Sequence, residues 1–124
     1  MLKNFNLLIS SIVVVIASFV YGGNPEKILP VVFGFEVVDL ELKNIFRAIM
    51  GLYIAFGIFW FIGFLKREYL KSATLSNIIF MGGLAFGRII SFFADGISKQ
   101  FLIGAMLELM MMFWGIINLK KQFK

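Results

Sequence analysis

Three ionisable side chains interrupt apolar runs of this sequence: Arg47 in NIFRAIMGLYIAFGIFWFIGFL, Arg88 in IIFMGGLAFGRIISFF and Glu108 in FLIGAMLELMMMFWGIINL. Each costs roughly 2.5–3.5 kcal/mol at the centre of a membrane helix on insertion scales, so a chain that keeps them must pair them or use them. Glu108 is the expected partner of Arg88, with Arg47 close by. Two arginines against one carboxylate leave one positive charge over. That charge has to reach water, Asp95, Asp39 or a ligand anion. A lipid phosphate, a carboxylate or a quinone-like carbonyl would suit the donor fork of a guanidinium. Arg47 is also shallow enough to snorkel to the surface. A purely structural reading stands beside the ligand reading, because a buried Arg–Glu pair often only fixes helix register. Catalysis has less support. Burial would raise the pKa of Glu108 towards general acid–base use, but neighbouring arginines lower it. No nucleophile–base pair is visible, and Tyr53, six residues after Arg47, falls on another face of an ideal helix.

The elements that must position these groups are membrane spans. The chain has 124 residues, is 60% hydrophobic and has a mean hydropathy of +0.94. A soluble domain this small could not hide so much apolar surface. Four apolar runs read as spans at about 5–21, 44–65, 76–93 and 101–119, near the roughly 17–25 residues a helix needs to cross a bilayer. The fold expected is all-α, an integral membrane four-helix bundle forming a single domain over residues 1–124. With no Cys and no His, disulfides, thiolate nucleophiles and His or Cys ligation of zinc or haem are excluded. No acidic cluster suggests a metal site, and no cofactor is expected. The first run lacks the small residues of a signal-peptidase site, with Phe19, Val20 and Tyr21 where they would lie, so it reads as a retained span.

The net charge of +5 flanks the apolar runs, which points to membrane orientation and away from nucleic acid. Lys3, Lys66, Arg67, Lys71, Lys120, Lys121 and Lys124 lie on one side of the spans, against Lys27, Lys43 and Lys99 on the other. Lys and Arg accumulate on the cytoplasmic side, so both termini are expected inside, in a bacterial inner membrane. Trp60 and Trp114 fall near the cytoplasmic ends of their helices, where indoles favour the interface. In this topology Arg47, Arg88 and Glu108 lie about 5, 8 and 10 Å below the outer ends of their helices at 1.5 Å per residue. They therefore share one level, with Asn44, Ser91 and Asp95 around them. Gly51, Gly83, Gly87 and Gly104 are expected to let the helices approach closely. The outer connection, residues 22–43, contains Pro30 and Gly34 and reads either as a strand or turn on the bundle's outer end or as a re-entrant lid.

The segments NIFRAIMGLY and GGLAFGRIISFFADG, followed by Glu108 on a last helix, resemble a domain-of-unknown-function family of small four-helix bacterial membrane proteins, distantly similar to DoxX-like proteins. The resemblance runs from Asn24 onward and implies that Asn44, Arg47, Gly51, Arg88, Ser91, Asp95, Gly96 and Glu108 are characteristic positions. It implies no activity. The expected role is a non-enzymatic accessory subunit of a larger membrane complex or homo-oligomer, or a binder of an anionic lipid or quinone-like ligand. The alternative is a small membrane enzyme or carrier acting on a lipophilic substrate at the same residues.

Overall fold

The computed structural model describes residues 4–123 and is helical throughout, with no strand among the described residues. Its elements are α1 (Phe5–Gly22), α2 (Pro25–Phe33), α3 (Leu40–Leu65), a 3₁₀ turn at Arg67–Tyr69, α4 (Leu70–Ala94) and α5 (Lys99–Gln122). Lys3 and Lys124 lie outside the described residues. Helices α1, α3, α4 (with the turn before it) and α5 are each long and apolar enough to cross a membrane. Their outward side chains are oily: Phe93 is 90% exposed and Phe86 66%. Lipid can cover such surface and water cannot do so cheaply.

Helices α3, α4 and α5 begin before the apolar runs do, because polar residues such as Glu41, Lys43, Lys71 and Ser72 extend the first turns outward. The connection before α3 is neither a strand nor a bare turn. Pro25 opens α2 at a position where its missing N–H costs nothing. Gly34 closes α2 in the left-handed region at φ +81°, donating its N–H to the carbonyls of Leu29 and Pro30. That conformation suits glycine and terminates a helix.

The chain packs as two compact units. One is Ile9–Phe59. Here α1 and α3 run close together at Gly57, where an added Cβ would lie 2.7 Å from Val15 and 3.0 Å from Val14. They are close again at Gly22, whose Cβ would collide with Met50 and the Phe46 carbonyl. The rings of Tyr21, Phe33, Phe35 and Phe46 pack with centroids 5.8–6.2 Å apart, stacked except for the tilted Phe35–Phe46 pair, and tie α2 and the segment after it to both helices. Tyr53 meets Tyr21 edge-on.

The other unit joins the start of α1 to the chain from Trp60 onward, and α4 and α5 form its antiparallel hairpin. Gly115 sits against Ile78, and Gly82 against Met112. Trp60 is fully buried, donates its indole N–H to Ser76 Oγ at 3.1 Å and meets Phe80 edge-on. It is therefore a core residue. Its indole N–H is satisfied within the protein by Ser76.

Candidate functional site

Arg88 and Glu108 face each other across the α4–α5 hairpin. Arg88 Nε donates to Glu108 Oε1 at 2.8 Å and Nη2 donates to Oε2 at 3.0 Å. This fork-to-fork arrangement is the strongest geometry open to the two groups. The side chains retain 19% and 13% of their surface, so the pair is largely but not fully enclosed. The Phe101 ring lies 5.0 Å from the guanidinium carbon and covers one face of it. Gly104 leaves the space beside it, since a Cβ there would stand 3.8 Å from Arg88 Cζ. Residues 88, 101, 104 and 108 meet because α4 and α5 are antiparallel and one turn of α5 separates Phe101, Gly104 and Glu108 in succession.

One turn further along α4, Ser91 Oγ donates to Asp95 Oδ2 at 2.9 Å. Asp95 is exposed and its N–H closes the last turn of α4 on the Ser91 carbonyl. The next residue, Gly96, takes φ +112° and turns the chain towards α5. The Ser91–Asp95 contact is local to the helix end.

Arg47 belongs to the Ile9–Phe59 unit and finds different partners. Its Nη1 donates to the carbonyl oxygens of Gly22 and Gly23 at 2.7 and 2.8 Å. The close approach at Gly22 brings the end of α1 within reach. Those carbonyls carry the negative end of the α1 dipole, about half a charge when summed over the terminus. A guanidinium there acts as a C-terminal cap. Asn44, one turn earlier on α3, is exposed and lines a shallow depression with Leu40, Glu41 and Ile45. At the same end of the unit Lys43 Nζ pairs with Glu26 Oε2 at 2.9 Å. That hydrogen bond and charge hold the Glu26 carboxyl below the usual glutamate range.

Gly51, Gly83 and Gly87 make no close helix approach. A Cβ at any of them would meet no atom within 4 Å. The tight crossings lie at Gly22, Gly57, Gly63, Gly82 and Gly115 instead. The small-residue spacing on α4 is real, but a Cβ at Gly83 or Gly87 stands in open space.

A second polar cluster escaped the reading of the sequence. Asn118 Nδ2 donates to Asn6 Oδ1 at 2.8 Å, and both residues are buried. Asn77 is fully buried, and neither its amide nitrogen nor its amide oxygen has a hydrogen-bond partner among the described residues. Their signal was present as single amides inside SNIIF, FNLLIS and IINLKK. Among the described residues no group of three or more His, Cys, Asp or Glu is placed to hold a metal ion.

A family model described as a domain of unknown function (DUF4345) matches residues 2–119. The match begins before α1, so the likeness takes in the first span as well as the segments from Asn24 onward. No curated protein and no solved structure matches the chain.

Proposed function

We propose that the chain, which belongs to this family of unknown function, is a non-enzymatic integral membrane protein acting as an accessory subunit of a larger membrane assembly. The observation that carries the reading is the glycine face of α4. Gly83 and Gly87 lie one turn apart with open space above them, flanked by exposed Ile79, Phe86 and Ile90. In lipid a glycine notch gains little. Against another helix it allows close backbone approach, the main source of helix association in a bilayer. The occupant we assign is a transmembrane helix of a partner protein. The engaged state of Arg88 and Glu108 supports a structural part for that pair, since each already answers the other's charge.

The setting is a bacterial cytoplasmic membrane with both termini inside. This rests on the excess of Lys and Arg on one side of the apolar runs (Lys3, Lys66, Arg67, Lys71, Lys120, Lys121 and Lys124) over the other (Lys27, Lys43 and Lys99).

The test is native mass spectrometry of the protein extracted in membrane discs from its own host, wild type beside a Gly83→Leu/Gly87→Leu variant. An added Cβ at these positions meets nothing within 4 Å, and unchanged circular dichroism checks that the variant folds. A partner protein held by the wild type and lost from the variant is expected. A bare wild type, or a partner held equally by both, overturns the proposal. One observation favours a second reading, a lipid-like anion at Arg47. Only partial charges answer its full positive charge. A small bound mass lost in Arg47→Gln identifies that case.

A further inference from the structure

We infer that the end of the hairpin unit around Arg67 is a binding site for the headgroup of an anionic phospholipid. The site shares no residue with the glycine face or with the contacts of Arg47, and it does not depend on the subunit reading. A cavity of about 250 Å³ opens between Asn4, Phe64, Leu65 and Arg67. Pockets that enclose whole small molecules run to roughly 300–1,000 Å³. This one therefore suits a headgroup, with the acyl chains lying outside along the helices.

Its lining has the chemistry of a headgroup site. Arg67 supplies a guanidinium, which grips phosphate through two parallel donors. Asn4 adds an amide, and Phe64 and Leu65 present apolar surface against which the start of an acyl chain can lie. The Phe5 and Phe64 rings stack at 6.2 Å and hold the start of α1 against the end of α3, which forms the walls.

The charge around the cavity is mainly positive. Lys66, Arg67, Lys71, Lys120 and Lys121 gather at this end with Glu68 as the acid among them. Lys71 Nζ stands 5.8 Å from the Phe123 ring, which sets the last turn of α5 beside the first turn of α4. None of these cations has a carboxylate partner among the described residues. Lys120 and Lys121 complement the dipole at the end of α5. Arg67 has no such role: it precedes the N-terminus of α4, where a cation is disfavoured and an anion is welcome. A phosphate beside Arg67 resolves that conflict.

The test uses the full chain in detergent, titrated with phosphatidylglycerol or phosphatidylcholine and read by native mass spectrometry. Wild type should retain phosphatidylglycerol in preference to phosphatidylcholine. Arg67→Gln should weaken that retention at least about fivefold, the effect of one basic residue at an anionic surface. Lys99→Gln, at the other end of α5, should leave it unchanged. Arg67 is exposed, so the substitution removes no buried contact, and unchanged circular dichroism checks the fold. Three results overturn the inference: no lipid preference in the wild type, equal weakening by Arg67→Gln and Lys99→Gln, or displacement of the lipid by inorganic phosphate at equal concentration.

Discussion

Replacing Glu108 with alanine removes both charge-assisted hydrogen bonds to Arg88 and leaves a guanidinium between α4 and α5 without its counter-charge. Breaking a fully buried pair in this way costs about 3–5 kcal/mol. Here the side chains keep 19% and 13% of their surface. The Phe101 ring still lies over the cation, a contact worth roughly 0.5–2 kcal/mol. The low end of the range, about 3 kcal/mol, is therefore expected. Removing both charges together, as Arg88→Met/Glu108→Leu, should cost far less, because no ion is left unanswered and apolar replacements of a buried pair are often neutral. The assay is reversible unfolding in mixed micelles, titrated with dodecyl sulfate and followed by the fluorescence of the buried Trp60. Glu68→Ala is the control: Glu68 is exposed and in no ion pair among the described residues, so its change should stay within about 0.5 kcal/mol. If Glu108→Ala costs no more than Glu68→Ala, or the double variant is as unstable as Glu108→Ala, the ion pair does not carry the hairpin.

Asn77→Leu should raise stability in the same assay by about 1–3 kcal/mol, since it removes a fully buried amide with no hydrogen-bond partner among the described residues. A loss of stability would mean that the amide is engaged in the membrane. Glu26 should titrate below an ordinary glutamate, first through its hydrogen bond and then through its attraction to Lys43. The folded-state pKa is depressed, so the pair's contribution is present above the unfolded value and fades as pH falls through the folded one. At this exposed site that contribution to stability is small. Carboxyl NMR shifts in micelles would follow it. Lys43→Gln should move the midpoint back up, and an unmoved midpoint would refute the pairing.

The apolar runs announced four long helices because length and hydropathy are bulk properties that no local exception can hide. Their ends were less visible. The first turns of α3 and α4 are polar, and helical hydrogen bonding continues past the point where the oily pattern stops. Helix α2 was missed because Pro30 and Gly34 read as breakers. In place, Pro25 is a favoured first residue and Gly34 a favoured terminator, while Pro30 is carried inside the helix. Arg88 and Glu108 stood out because full charges are rare in such runs. The asparagines did not, since a neutral amide carries no full charge that has to be paired. The partners of Arg47 are main-chain carbonyls, which have no letter in a sequence.

Arg47 and Arg88, each in a helix long and apolar enough to cross a membrane, differ in what answers their charge, and this decides where an anion could go. At Arg88 the bidentate carboxylate of Glu108 already occupies the donor fork. A second anion would have to displace that carboxylate or sit beside it, and like charges in a low-dielectric setting repel strongly. The pair as a whole is neutral and offers an incoming phosphate no net attraction. At Arg47 the competitors are two carbonyl oxygens. They supply good hydrogen-bond geometry but only part of a negative charge, and the residue is exposed. An anion can approach without expelling a carboxylate and still gains the remainder of the guanidinium charge. Charge balance therefore assigns an incoming anion to Arg47 and leaves Arg88 to hold α4 against α5.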